Sequence, residues 1–104
     1  MTDPFLSFLG LCRRANALKI GHDAVKDAVR SSKAKLVLFS SDASQRLEKE
    51  IRNLSNTVNV VRTDRSSDDI GANIGKRAAV LAVTDENLAS AVIKKYEEGM
   101  KHGN

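Results

Sequence analysis

The run Leu36-Val37-Leu38-Phe39, flanked by Lys35 and Ser40, has no polar face. Four or five consecutive apolar residues between polar ones describe a strand covered on both sides. The same pattern recurs at Ala78 to Val83 and, with Val58, Val60 and Val61, at Thr57 to Arg62. Leu18-Lys19-Ile20 alternates briefly before Gly21, as a short strand entering a tight turn does.

Between these strands the periodicity changes to that of helices. Asp3-Pro4 predicts an N-cap with proline at the first helical position. Phe5, Phe8, Leu9, Cys12 and Ala15 then form one apolar stripe, with Arg13 and Arg14 placed to suit a helix C-terminus or to meet phosphate. A second helix carries Ala24, Val25, Ala28 and Val29 on one face. Asp42 and Ser44 are cap candidates for a third helix with Leu47, Ile51 and Leu54 inward. Ser66 or Ser67 caps a short fourth helix through Ile70 and Ile74, which Gly75 stops. Thr84 or Asp85 caps a last helix with Leu88, Ala91, Val92 and Tyr96 on its inner side, expected to fray from Gly99 onward. Helices alternating with fully apolar strands predict an α/β fold, a three-layer α/β/α sandwich around a central mixed sheet of about four strands. The 104 residues leave room for a single domain.

Composition narrows the function. With 41% hydrophobic and 29% charged residues the chain matches a globular protein. The opening residues do not resemble a secretion signal, and no apolar run approaches a membrane span, so a cytoplasmic protein without a membrane partner is expected. Cys12 has no partner for an internal disulfide and reads as core filling. Residues 1 to 35 hold seven Lys or Arg against three acids, whereas residues 36 to 104 hold ten of each, so the whole net charge of +4 is N-terminal. Clustered cations suggest a polyanionic partner.

Catalysis needs a nucleophile beside a base, or paired titratable groups. His22 and His102 are the only histidines, and with one cysteine they offer no metal-ligand spacing. Gly71-Ala72-Asn73-Ile74-Gly75 lacks both phosphate-loop patterns, and Gly71 is expected to allow close helix packing instead. No enzyme activity, cofactor, metal or small-molecule substrate is expected.

Several strings in order resemble the ribosomal L-seven-Ae family of kink-turn RNA-binding proteins, and within it the bacterial YlxQ-type branch. They are Leu9-Gly10-Leu11 with Arg13-Arg14, Leu18-Lys19-Ile20-Gly21, Ala28-Val29-Arg30 running into Lys33-Ala34-Lys35-Leu36-Val37, Ser41-Asp42-Ala43-Ser44, Ile70-Gly71-Ala72 with Ile74-Gly75-Lys76, and Ala82-Val83-Thr84-Asp85. The resemblance implies the same sandwich, and RNA binding through two neighbouring places. One is the turn and start of the second helix, here Gly21, His22, Asp23, Lys26 and Asp27, with Lys19 just before it. The other is the loop Gly75, Lys76, Arg77 and Ala78. A helix N-terminus presents free N–H groups to phosphate, and glycine lets backbones approach.

The second helix departs from the archaeal pattern of Gly, Asn and Glu followed three residues later by Lys. Those places hold His22, Asp23, Ala24 and Asp27, with Lys26 one position early and Asp27 repelling phosphate. The resemblance therefore implies structured RNA, ribosomal or translational, without strict kink-turn specificity. His22 and Asp23 read equally well as helix caps, and Lys76-Arg77 as a solvated edge. RNA binding predicts a positive surface contiguous from Lys19 and Lys26 to Lys76 and Arg77, on a protein expected to be monomeric. A protein-interaction module on the same fold predicts an exposed apolar patch instead. An accessory domain of an RNA-modifying enzyme would need a second chain.

Overall fold

The computed structural model describes residues 3–101. Nine elements follow in order: α1 (Pro4–Arg14), β1 (Leu18–Ile20), α2 (His22–Arg30), β2 (Leu36–Phe39), α3 (Gln45–Leu54), β3 (Asn59–Arg62), α4 (Ser67–Ile74), β4 (Val80–Val83) and α5 (Glu86–Lys101). The strands form one mixed sheet in the order β1-β4-β2-β3. β4 pairs antiparallel with β1 and with β2, and β2 pairs parallel with β3.

The apolar runs are strands because both their faces are covered. Along β2, Leu36 and Leu38 enter one core with Phe5, Leu9, Ile70, Ile74 and Val92 of α1, α4 and α5. Val37 and Phe39 alternate to the other side and meet Val25, Val29 and Ile51 of α2 and α3. β4 divides in the same way, Leu81 and Val83 to the first core, Val80 and Ala82 to the second. Burying a side chain of this kind contributes about 1.5–3 kcal/mol, so the two central strands anchor the sandwich. Cys12 is fully buried in the first core, and burial raises its thiol pKa.

Caps fix the element boundaries. Asp3 accepts from the N–H groups of Phe5 and Leu6, Ser44 from Leu47, Ser66 from Asp69 and Asp85 from Leu88. Asp42 does not cap α3. It reaches the start of α4, accepting from Ser67 N at 2.9 Å and Ser67 Oγ at 2.7 Å. β3 begins at Asn59, two residues later than predicted, because Thr57 is held in a turn by its N–H bond to Ser55 Oγ at 3.2 Å.

Ala15, expected on the α1 stripe, is the exposed C-cap of that helix. On α5 the fully inward alanine is Ala89, and Ala91 is half-buried. α5 also continues through Gly99 to Lys101, since Gly99 does not take the left-handed conformation with which glycine stops a helix. Tyr96 anchors its last turns, packing on Phe5 at a ring separation of 4.9 Å and accepting from Asp64 N at 2.9 Å. His102 lies outside the described residues. Among the described residues no helix is long and apolar enough to cross a membrane.

Candidate nucleic-acid interface

The sheet brings the two predicted segments to one end. Gly21 N donates to Val80 O at 3.0 Å, which ties the β1–α2 turn to the first residue of β4. The loop Gly75 to Ala78 leads directly into that strand. Gly21 adopts φ 96° and Gly75 φ 86°, conformations that side chains with a Cβ rarely take.

Of the five helices, α2 alone begins without a side-chain cap among the described residues: Gly21 is its N-cap, and neither His22 nor Asp23 closes the first turn in that way. Free N–H groups and the positive end of the helix dipole are therefore open to an anion. Capping does not account for His22. Its Nε2 lies 3.1 Å from Glu50 Oε1, while Lys26 Nζ donates to Glu50 Oε2 at 2.9 Å. His22 and Lys26, one helical turn apart, share this one carboxylate on α3. The hydrogen bond from Lys26, foremost, holds Glu50 below the ordinary carboxylate pKa, with His22 adding to it. Asp23 and Asp27 are exposed on the same helix.

On the other segment, Lys76 is exposed and forms no ion pair with the described carboxylates. Arg77 donates from Nε to Asp68 Oδ1 at 2.8 Å and lies 3.6 Å from Asp42 Oδ2. Ala78 is 5% exposed, so its methyl belongs to the core and only its backbone is available to a ligand. Gly71 does not serve helix packing. A Cβ there would stand 2.6 Å from Arg77 Cα, so its missing side chain lets the Lys76-Arg77 backbone lie against α4. The close approach of α1 to α4 is permitted by Gly10, whose Cβ would meet Asn73 O at 2.8 Å. Arg13 completes that joint by donating to Ile74 O.

The contiguous positive strip expected from Lys19 to Arg77 does not form. Lys26 is paired with Glu50, Arg77 with Asp68 and Asp42, and Lys19 lines a separate cleft with Lys33 and Lys35. Sequence reasoning missed Glu50 because its role depends on the packing of α3 against α2, which no local pattern encodes. It missed Gly10 for the same reason. Among the described residues no three His, Cys, Asp or Glu side chains converge as a metal site.

The sequence model of the ribosomal protein L7Ae/L30e/S12e/Gadd45 family matches residues 5–93 of the chain. RNA-binding protein YlxQ of Bacillus subtilis (strain 168) is 38% identical over 87 residues, covering 82% of this chain and 87% of that protein. RNA-binding protein YlxQ of Enterococcus faecium is 30% identical over 95 residues, covering 90% and 91%. Among solved structures, a protein of unknown function from Bacillus halodurans C superposes with a TM-score of 0.85 at 27% identity, covering 92% of this chain and 99% of the other. The Giardia lamblia 15.5kD RNA binding protein shares the fold at a TM-score of 0.65 and 17% identity, over 89% of this chain and 84% of that one.

Proposed function

Because the chain belongs to the ribosomal protein L7Ae/L30e/S12e/Gadd45 family, we propose that it is an RNA-binding protein that receives a structured RNA at the end of the sheet where α2 begins. The observation that carries this reading is the uncapped start of α2, set beside the Gly75 loop by the Gly21–Val80 hydrogen bond. Two relatives named as RNA-binding proteins support it.

The chemistry available there suits RNA backbone and a splayed base. The first turn of α2 offers N–H donors to a phosphate, Gly21, where an added Cβ would meet nothing within 4 Å, leaves room for close approach, and Lys76 contributes an unpaired ammonium. Arg77 can exchange its exposed carboxylate partners for phosphate, since such surface pairs are worth little in water, and its flat guanidinium can stack on an extruded base. Asp23 can accept from base amino groups. Asp27 and Glu50 temper the field, which favours recognition of a particular bent shape over indiscriminate attraction to any polyanion. The protein would act as a monomer in translation or on ribosomal RNA, with binding rather than catalysis as its role. The protein-interaction alternative calls for an exposed apolar patch, and among the described residues the one large hydrophobic side chain left exposed is Leu11.

Titration against a kink-turn RNA and a straight RNA duplex of equal length, over a range of salt, tests the proposal. Preference for the kinked RNA that is lost with Lys76→Ala and Arg77→Ala supports it. Equal, weak and steeply salt-dependent binding to both would replace shape recognition by unspecific phosphate contact. Absence of binding at low salt would overturn it.

A further inference from the structure

Lys33 and Lys35 come together with Lys19, which stands two residues before Gly21, at the end of the sheet away from the Gly75 loop. They line an open cleft of about 430 Å³ with Asn16, Ser32 and Thr84. This cleft lies where Leu18, Leu36 and Val83 align in register, at the opposite end of β4 from Val80. The three steps from Val80 to Val83 put about 10 Å between the two ends of that strand.

Two features set the cleft apart from an ordinary solvated face. First, its three ammonium groups form no ion pair with the described carboxylates, as is also true of Lys76 and other surface cations, but here three such groups line one cleft. Second, Asn16 at φ 60° and Ser32 at φ 63°, the two described non-glycine residues in the left-handed region, both line it. Each closes a helix: Ala17 N donates to Cys12 O and Lys33 N to Ala28 O, both at 2.9 Å. Lys35 N donates to Val83 O at 2.8 Å. The backbone bearing Lys33 and Lys35 is thereby fixed, so the two flexible side chains start from anchored positions rather than from a loose loop.

The C-termini of α1 and α2 point here and would attract cations, each contributing about half a negative charge. Three full positive charges exceed that, and Lys19 stands on a strand rather than at a helix end. Asp85 follows Thr84, but its Oδ1 is occupied by Leu88 N at 2.9 Å.

The lining also states the ligand. No aromatic ring is present to stack a base, and no guanidinium fork to read a base edge. Flexible ammonium groups with hydroxyls and an amide meet phosphate oxygens and ribose hydroxyls along a backbone. An open cleft of this kind does not enclose a small metabolite. We propose that the Lys19–Lys33–Lys35 cleft is a second RNA contact, gripping the phosphate backbone of a helical segment that extends past the Gly21–Gly75 end. This rests on the RNA-binding reading above and adds to it a sequence-independent contact on another surface.

The test uses the full chain and a kink-turn RNA with long flanking helices. Lysine acetylation of the free and RNA-bound protein, followed by mass spectrometry, should show Lys19, Lys33 and Lys35 protected. In parallel, a variant with all three changed to Gln should lower the slope of log affinity against log salt by about 2 to 3, near 0.9 for each lost phosphate contact. These side chains are exposed, and an unchanged melting temperature verifies folding. RNA binding by the native protein with these lysines unprotected and the slope unchanged overturns the inference while sparing the RNA-binding reading. No RNA binding by the native protein overturns both. Protection of the three lysines with no effect of Lys76→Ala and Arg77→Ala sustains the cleft and refutes the Gly75 loop.

Discussion

Replacing Gly71 by Ala should push apart the joint that positions the Lys76-Arg77 loop. The added Cβ would lie 2.6 Å from Arg77 Cα, 2.8 Å from Arg77 N and 3.1 Å from Lys76 C. Carbon atoms in good contact stand about 3.5–4.0 Å apart, so the loop must retreat by about 1 Å. All three atoms are backbone, and no side-chain rotation relieves the clash. Overpacking of this kind costs about 1–3 kcal/mol, and the obstacle here places it in the upper half of that range. Alanine is the better helix former by about 1 kcal/mol, which offsets part of the cost. The net loss is then about 1–2 kcal/mol, or a melting temperature lower by about 5–15 °C for a domain of this size. RNA affinity measured well below the melting range should fall as well, since Lys76 and Arg77 move with the loop. Gly99→Ala is the control: its Cβ would meet Arg65 Nη2 at an ordinary 3.9 Å, so stability should hold or rise slightly. A Gly71→Ala protein that melts at or above the native temperature would refute the packing on which this reasoning depends.

Glu50→Gln releases Lys26 and His22, and should strengthen RNA binding while steepening the salt dependence by roughly one phosphate contact, about 0.9 in slope. An unchanged slope would mean that Lys26 does not meet RNA. Tyr96→Phe removes the hydroxyl that accepts from Asp64 N, and should cost about 1 kcal/mol by urea unfolding, without loss of RNA affinity. Burial pushes the Asp3 and Glu48 carboxyls upward, but hydrogen bonds and charge from Arg65 on the first, and from Arg52 and Arg62 on the second, outweigh it. Both therefore sit below their ordinary values of 3.8 and 4.5, and the stability they contribute is complete above those values and lost as pH falls through the depressed ones. Urea midpoints should consequently drop at acid pH, and by less in Arg62→Met than in the native protein. Equal losses in the two would contradict this origin.

What the sequence disclosed followed from local rules. Fully apolar runs marked β2 and β4, Asp3 with Pro4 marked the start of α1, and Gly75 marked the end of α4, because pattern, cap and left-handed turn are written in neighbouring residues. The surface was less legible. Lys19 and Lys26 stand seven positions apart and suggested one patch, yet Lys19 joins Lys33 and Lys35 in the cleft while Lys26 pairs with Glu50. Glu50, Asp42 and Gly10 act on residues 24 to 63 positions away, and Asp42 was placed at the wrong helix for that reason. Resemblance placed the candidate site at the start of α2, but only the geometry disclosed that this start carries no side-chain cap.

Amide chemical-shift mapping with a kink-turn RNA tests the central claim most directly. The largest changes should fall on Gly21 to Lys26 and on Gly75 to Arg77, the two segments joined at one end of the sheet, with a second set at Lys33 and Lys35. Changes confined to β3 and α5, with the Gly21 and Gly75 amides unmoved at saturation, would contradict it.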